Sequence, residues 1–196
     1  SRKGFGVQVP VRTQLRWLDR KMDLSSALAL IRPIPDYPKP GILFQDITPL
    51  LSDAAGFATV TRAISSLDTE SSLALGIEAR GFILASAVAI ERSIGFVPIR
   101  KKGKLPSATF ARSYGLEYGE DEIHIHRDAF PVGTKVTLID DVLATGGTLE
   151  AAVSLIQDAG GVLTSIIVLL EIESLNGRKR IEKIAPGIPV HALVRI

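Results

Sequence analysis

The sequence predicts an α/β fold with a mainly parallel central sheet flanked by helices. Short apolar segments typical of strands alternate along the chain with segments of helical character. The strand-like segments are nearly continuous in apolar residues, as expected when both faces of a sheet are covered. Three of them run directly into charged residues, in "LALGIEAR" (73–80), "GFVPIRKKGK" (95–104) and "LIDD" (138–141). Ligands of such sheets bind beyond the carboxyl ends of the strands, so these ends are the expected site.

Capping and turn residues set the first elements. An Asp–Leu–Ser sequence at 23–25 opens a short amphipathic segment and predicts a helix. Three prolines and a glycine in "PDYPKPG" predict a loop. In order, the next elements are a helix at 53–67, a strand at 73–77, a helix at 80–94 and a strand at 95–100.

The second half continues the alternation after an irregular stretch. Residues 101–120 are polar and have no clean helical period, whereas "EIHIH" alternates as a strand does. The elements that follow are a strand at 135–140, a helix at 148–159 ended by Gly160 and Gly161, a strand at 162–172, a helix at 176–184 and a strand at 188–196.

Composition restricts the class of protein. The 196 residues are 46% hydrophobic and 22% charged, which is ordinary for a globular domain with a real core. There is no cysteine, which excludes disulfides and cysteine-based zinc sites and fits a reducing compartment. No segment approaches the roughly 18 apolar residues of a membrane span. We therefore expect a cytoplasmic location and no membrane partner.

The positive charge is concentrated in an N-terminal arm. Residues 1–21 hold six basic residues and one acid, whereas the rest holds 17 basic and 20 acidic residues. The charge balance of the residues after the arm does not predict nucleic-acid binding. The arm has three interpretations: a non-native or upstream segment before a natural start at Met22, a basic targeting peptide, or an arm that packs on a partner. Residues 22–196 are predicted to form a single domain.

The stretch "LIDDVLATGGT" (138–148) carries the most specific chemistry. A strand runs into Asp140 and Asp141, then into a loop of small residues and hydroxyls that opens a helix. A helix N-terminus with closely approaching backbone N–H groups binds phosphate. The loop lacks the Gly-Lys-Ser/Thr of a Walker A motif and the G-x-G-x-x-G of a dinucleotide-binding fold. ATP hydrolysis and NAD binding are therefore disfavoured.

A ribose phosphate would explain why two acids stand beside an anion site. Carboxylates accept hydrogen bonds from hydroxyls. Asp140 and Asp141 would hold the ribose 2′- and 3′-hydroxyls while the loop holds the 5′-phosphate. The loop residues that would supply the donors are Ala144, Thr145, Gly146, Gly147 and Thr148. The alternative is a strand-end acid pair that only caps the helix.

The stretch "VTLIDDVLATGGT" resembles the phosphoribosyl-pyrophosphate (PRPP) signature of the type I phosphoribosyltransferases. "PDYPKPGILFQDITPLL", "EARGF", "RKKGKLP" and "LEYGED" are similar, in order and spacing, to the adenine-specific branch of that family. The resemblance covers about residues 22–184. It implies the type I phosphoribosyltransferase fold with a small N-terminal hood and a flexible lid. The implied reaction is adenine plus PRPP giving AMP and pyrophosphate with Mg²⁺, in purine salvage, by a homodimer.

The resemblance also assigns the leaving-group site. "EARGF" corresponds to the family's pyrophosphate loop, in which Arg80 would grip pyrophosphate and the backbone of Glu78 and Ala79 would turn N–H groups toward it. The Glu78–Ala79 peptide is commonly cis in this family. In "RKKGKLP", the expected phosphate contacts are Arg100 and Lys104, with Lys101 reaching pyrophosphate directly or across a dimer. The alternatives are a surface arginine at a helix start and a solvated basic run.

Residues 105–119 are expected to form a mobile lid that excludes water. By resemblance, Glu117 is the acid that assists proton handling at adenine N7, and Tyr118 follows it in the matched position. The alternative is an exposed hairpin with a solvated glutamate.

The adenine pocket is expected at "GILFQDI" (41–47). By resemblance Phe44 would stack on the base, and the backbone around Leu43 would recognise its amine edge. The alternative for Phe44 is simple core packing. Gln45 departs from the basic residue frequent in the family, so no charge-based role is expected there.

No protein metal site is predicted. His124 and His126 share a strand face without an evident third ligand, and Mg²⁺ would be held chiefly by PRPP oxygens. Two alternatives to an adenine transferase stay open on this fold: a PRPP-binding regulatory protein and a transferase for another base.

Overall fold

The computed structural model describes residues 22–115 and 120–196, as two compact units that divide between Thr59 and Val60. The basic arm (1–21) and the lid residues Glu117 and Tyr118 lie outside the described residues. No helix in the described part of the chain combines the length and apolarity needed to cross a membrane.

The first unit contains short elements joined by the proline-rich loop. They are α1 (Leu24–Leu28), β1 (Arg32–Ile34), β2 (Phe44–Asp46), α2 (Thr48–Ser52) and the start of α3 (Ala54–Ser65). The predicted cap of α1 is confirmed, because the Asp23 carboxylate accepts the Ser26 N–H at 2.9 Å. The antiparallel pairing of β1 with β2 was not predicted. Three-residue strands are too short to show an alternating pattern.

The second unit contains a seven-stranded sheet in the order β5-β6-β4-β3-β7-β8-β9. Its strands are β3 (Leu73–Ile77), β4 (Gly95–Lys101), β5 (Thr109–Gly115), β6 (Glu120–His126), β7 (Lys135–Leu143), β8 (Val162–Glu171) and β9 (Val190–Arg195). The neighbouring strands β4, β3, β7, β8 and β9 are parallel to one another. Strand β6 runs antiparallel to both of its neighbours, β4 and β5. The predicted mainly parallel sheet is therefore confirmed.

Helices follow the parallel strands and cover the sheet. They are α4 (Arg80–Arg92), α5 (Gly147–Asp158) and α6 (Gly177–Ile184), and a 3₁₀ turn at Glu173–Leu175 precedes α6. Leu138 and Ile139 are adjacent in β7 and point to opposite faces, yet both are fully buried. Both faces of the central strand are thus covered, which explains its continuous apolar sequence.

The sequence predicts no named strand between residues 101 and 120, although a hairpin stays open there as the alternative to a lid. Residues 109–115 form β5, which pairs with β6 along its whole length. Thr109 Oγ1 and His124 Nδ1 lie 2.9 Å apart, and Phe110 packs against the core. These cross-strand contacts, which no local pattern shows, stabilise a strand of mostly polar residues. The motion of the lid stays a prediction.

Asp68 organises the amino end of the sheet, opposite the expected site. Its carboxylate accepts the hydroxyls of Thr164 at 2.5 Å and Ser165 at 2.7 Å. It also accepts the backbone N–H groups of Glu70 at 2.8 Å and Ser71 at 3.0 Å. Burial raises the pKa of Asp68, but these hydrogen bonds outweigh it and lower the pKa to about 2.

We predict that Asp68→Asn lowers the free energy of unfolding by about 2 kcal/mol at pH 7, since an amide replaces a carboxylate surrounded by donors. A lowered pKa means that this contribution is complete above the unfolded value of 3.8 and is lost as the pH falls through about 2. Urea unfolding of both proteins from pH 7 to pH 2 measures it. Asp128→Asn, at an exposed turn, is the control. A pH-independent difference would contradict the role of the charge.

Candidate active site

The carboxyl ends of β3, β4 and β7 bring together most of the predicted residues of the second unit. Arg80 is the first residue of α4, which follows β3 after the Glu78–Ala79 peptide. That peptide is cis, as the resemblance implies. Arg100 and Lys101 end β4, and Asp140 and Asp141 lie near the end of β7. Adjacent parallel strands place these ends on one edge of the sheet.

Asp140 and Asp141 form a buried acidic pair beside Arg80. Arg80 Nη2 lies 2.6 Å from Asp141 Oδ2, and the Asp141 N–H donates to Asp140 Oδ1 at 2.9 Å. Burial and the adjacent charge of Asp141 raise the pKa of Asp140 well above its usual value. Burial also raises the pKa of Asp141, against the opposing charge of Arg80. Gly146, and neither acid, is the N-cap residue of α5, so the pair does not act as the N-cap of that helix.

The helix that carries Arg80 approaches β7 closely. A Cβ atom at Gly81 would lie 2.7 Å from Asp140 Oδ1 and 2.9 Å from the carbonyl oxygen of Ile139. A Cβ atom at Gly76 in β3 would lie 2.8 Å from the Gly81 carbonyl oxygen. These glycines let Arg80 reach the acids at the end of the neighbouring strand.

Glu78 binds the predicted phosphate-binding arginine. Arg100 Nε and Nη2 donate to the Glu78 carboxylate at 3.2 and 3.3 Å, and the Lys101 N–H donates to it at 3.0 Å. Burial raises the pKa of Glu78, but the bonds from Arg100 and Lys101 lower it overall. Arg100 Nη1 also donates to the carbonyl oxygen of Lys104 at 3.2 Å. Arg100 is therefore a held side chain at the site and not a solvated surface residue.

The 144–148 loop leads into α5, as predicted. Val142, residues 144–148 and Leu149 line a small concavity at the start of that helix. Gly146 caps α5 with a φ of +82°, a conformation that favours glycine. The first backbone N–H groups of a helix have no intrahelical partner, so they are available to an anion.

Two residues at the site were missed by the sequence reasoning, Tyr114 and Asp121. Asp121 Oδ2 lies 2.8 Å from Lys101 Nζ and accepts the Tyr114 hydroxyl at 3.0 Å. The Tyr114 hydroxyl also interacts with the Thr148 side chain of the 144–148 loop. The hydrogen bond to Asp121 raises the pKa of Lys101. Both residues belong to a polar hairpin, and only strand pairing places them here.

The predicted adenine residues belong to the first unit. Leu43 is 52% exposed, and Phe44 is half-buried, with its ring centroid 5.2 Å from that of Tyr37 at 71°. Gln45 is buried and pairs in register with Pro33 across β1 and β2. The simple packing interpretation would require Phe44 to be fully enclosed in a core, whereas its side chain is only half-buried.

The side chain of His124 is engaged within the sheet. His124 Nε2 lies 2.6 Å from Glu122 Oε1, and its Nδ1 lies against Thr109, so both ring nitrogens are engaged. Within residues 22–115 and 120–196, no three His, Cys, Asp or Glu side chains converge as a metal site.

The comparisons with known proteins agree with this geometry. Residues 50–188 match the family described as the phosphoribosyl transferase domain. The adenine phosphoribosyltransferase of Streptomyces avermitilis is 47% identical over 171 residues, which cover 86% of this chain and 94% of the relative.

Solved structures give the same result. Adenine phosphoribosyltransferase from Thermoanaerobacter pseudethanolicus is 42% identical with a TM-score of 0.83, over 88% of this chain and 99% of that one. The APRTase of Giardia lamblia, complexed with 9-deazaadenine, is 37% identical with a TM-score of 0.84, over 90% and 99%.

The resemblance and the predicted fold are confirmed by these matches, which cover most of this chain and nearly all of each relative. The chain belongs to the phosphoribosyltransferase family and, within it, to the adenine phosphoribosyltransferases.

Proposed function

We propose that this chain transfers the 5-phosphoribosyl group of PRPP to adenine, giving AMP and pyrophosphate in purine salvage. The observation that carries the proposal is the buried pair Asp140 and Asp141, which lies against Arg80 on the strand that leads into the 144–148 loop. Adenine N9 bonds to ribose C1, the bond from C1 to the pyrophosphate oxygen breaks, and the base loses a proton. The transition state therefore carries positive charge on the sugar and growing negative charge on the leaving group.

The acids and the loop divide the recognition of the ribose phosphate. Asp140 and Asp141 accept hydrogen bonds from the 2′- and 3′-hydroxyls and stabilise the positive sugar. The backbone N–H groups of residues 144–148, with the hydroxyls of Thr145 and Thr148, hold the 5′-phosphate. The two halves of the motif thus face opposite charges on one substrate.

The leaving group is held by cations at the ends of β3 and β4. Arg80 lies beside Asp141, so it can bind pyrophosphate next to the ribose. The backbone N–H of Glu78 already donates to the Ile99 carbonyl oxygen at 2.9 Å, so we assign the backbone donor of this loop to Ala79. The Glu78 side chain fixes Arg100 through two hydrogen bonds. Lys101 is about half exposed and pairs with Asp121 at 2.8 Å. Lys101 and Lys104 complete the set of cations that face pyrophosphate.

The base is assigned to the stretch at 43–45. Phe44 stacks on adenine, and the backbone around Leu43 and Gln45 reads the edge with the exocyclic amine. The half-buried Phe44 and exposed Leu43 are available for such contacts. The bound 9-deazaadenine of the Giardia lamblia relative supports a purine site with this fold. Glu117 assists proton transfer at N7 beside Tyr118 in the proposed lid; both stay predictions from the resemblance.

Mg²⁺ fits this site as a companion of the substrate. Among the described residues the site offers two adjacent carboxylates, Asp140 and Asp141, and oxygen ligands suit this ion. Two carboxylates are too few for a protein cage, so PRPP oxygens would supply most ligands, with the acids acting through water. The ion supplies charge neutralisation on the leaving pyrophosphate.

We also propose that the enzyme is a homodimer. On α4, Ile90 is 83% exposed and Ile83 is 39% exposed, which is unusual for large apolar side chains on one helix face. A second copy of the chain would cover them. Sedimentation velocity of the purified protein measures this, and a monomer at micromolar concentration would refute it. The cytoplasmic location stays a prediction.

Product formation from PRPP and Mg²⁺ with adenine, guanine, hypoxanthine or uracil tests the activity. AMP from adenine alone is the expected result. Measurable PRPP binding without product from any base would favour the regulatory alternative, and product from another base would favour the sister transferase. In the same assay, Glu117→Ala should lower kcat more than it weakens PRPP binding, and a pure binding defect would remove its catalytic role.

We predict that the double variant Asp140→Asn with Asp141→Asn loses about 10²- to 10⁴-fold in kcat/KM for PRPP. Each substitution removes a charge-assisted hydrogen bond to a ribose hydroxyl, worth about 1.5–3 kcal/mol. Steady-state kinetics with varied PRPP measures the loss.

Stability provides the control for the double variant. The double variant removes the ion pair between Asp141 and Arg80, but Arg80 is about a third exposed and can turn toward solvent. We therefore expect a protein that still unfolds in one cooperative transition, at a lower melting temperature than the unaltered enzyme. Asp128→Asn, at an exposed turn, controls for the loss of a charge. Normal kinetics in the folded double variant would refute the ribose assignment.

A further inference from the structure

Gly177, the first residue of α6, packs directly on the backbone of the 144–148 loop. A Cβ atom at Gly177 would lie 2.2 Å from the Ala144 carbonyl oxygen and 2.9 Å from the Gly146 nitrogen. In the other direction, a Cβ atom at Gly146 would lie 2.9 Å from the Gly177 carbonyl oxygen and 3.2 Å from its Cα. The contact is therefore between two backbone segments that are more than thirty residues apart in the sequence.

A side chain at position 177 would have to displace the loop. The nearest atom is the Ala144 carbonyl oxygen, followed by Leu143 Cδ1 at 2.7 Å and the Gly146 nitrogen. The Leu143 side chain can rotate away, but the two backbone atoms cannot. The requirement is steric, because Gly177 does not have the positive φ that marks Gly146. Helix propensity alone would favour alanine at such a position.

The start of α6 is fixed from the opposite side. Arg178 donates from Nε and Nη2 to the carboxylate of Glu171 at 2.9 and 2.5 Å, and from Nη1 to the Val190 carbonyl oxygen at 2.6 Å. Glu171 ends β8 and is only 4% exposed. Such a bidentate pair is geometrically specific.

A second ion pair ties α6 to the helix that the loop opens. Arg180 pairs with Glu150 in the first turn of α5. The start of α6 is thus joined to β8, to β9 and to α5. It can act as a rigid support rather than a mobile neighbour.

We infer that Gly177 is a positioning residue for the 5′-phosphate: its close contact fixes the backbone of residues 144–146, so that their N–H groups stay aimed at the anion. The inference rests on the proposed function, because it takes the 144–148 loop as the phosphate site. Gly177 itself contacts the loop and not the substrate. A small displacement of oriented donors costs much more binding than a small displacement of apolar contacts.

Gly177→Ala tests the inference through two separate ligands. Isothermal titration with ribose 5-phosphate should show a dissociation constant raised about tenfold or more, as expected for the loss of one hydrogen bond to a charged group. Titration with pyrophosphate and Mg²⁺ should change less than about twofold, since Arg80 begins α4 and Arg100 lies at the end of β4, both outside the loop. In kinetics, KM for PRPP should rise with little change in KM for adenine.

Gly161→Ala is the matched control. A Cβ atom there would lie 2.9–3.1 Å from the side chains of Ile156 and Phe130, so the added methyl group is crowded there too, by side chains and not by the loop backbone. Gly161 precedes β8, at the opposite end of the sheet from the loop. It should lower the melting temperature without changing affinity for ribose 5-phosphate. The inference would be overturned if Gly177→Ala weakened the binding of ribose 5-phosphate and of pyrophosphate equally. It would also be overturned if Gly177→Ala and Gly161→Ala weakened the binding of ribose 5-phosphate equally, because Gly177 would then have only a structural role.

A second variant covers the case in which Gly177→Ala does not fold. Glu171→Gln loosens the anchor of Arg178 without adding an atom at the loop. We expect weaker binding of ribose 5-phosphate by about three- to tenfold, with pyrophosphate unchanged. Unchanged affinity in this folded variant would overturn the inference. If the unaltered protein does not bind ribose 5-phosphate, the assignment of the phosphate site itself fails. If the unaltered protein binds it and neither substitution changes the affinity, only the inference about Gly177 fails.

Discussion

The ion pair between Arg80 and Asp141 joins the start of α4, which follows β3, to the carboxyl end of β7. Two acids that are adjacent in sequence are buried at the end of β7, where burial and mutual repulsion disfavour their charges. Arg80, 2.6 Å away at the start of α4, offsets part of this cost. The glycines at 76 and 81 permit that approach, because neither position has room for a Cβ atom. The ion pair at this site therefore depends on the close backbone packing beneath it.

The same principle extends to the cations. In the basic run at the end of β4, Arg100 pairs with Glu78, Lys101 with Asp121 and Lys102 with Glu122. An arriving pyrophosphate would meet cations that are already oriented by carboxylates. Oriented cations lose less side-chain entropy on binding than free ones do. Glu78 is then a structural partner of the anion site through its side chain.

The loop that would bind the 5′-phosphate is supported in a similar way from outside its motif. Its small residues allow donors to face an anion, but they also leave the loop without side-chain packing of its own. Gly177 and the ion pairs of α6 supply that packing from a later part of the chain. Local sequence gives the loop its chemistry, and a distant helix gives it rigidity.

The sequence by itself determined the parallel sheet, the order of its helices and the residues of the PRPP motif. Those features rest on local periodicity, on caps such as Asp23 and on a contiguous motif at 138–148, all of which act within a few residues. The family resemblance added the cis Glu78–Ala79 peptide, which no periodicity predicts. Only the tertiary structure decided the strand at 109–115, the network of Tyr114 and Asp121 with Lys101, and the contact of Gly177 with the loop. Each of these depends on atoms brought together by strand pairing or helix packing, and their energies do not appear in the local sequence.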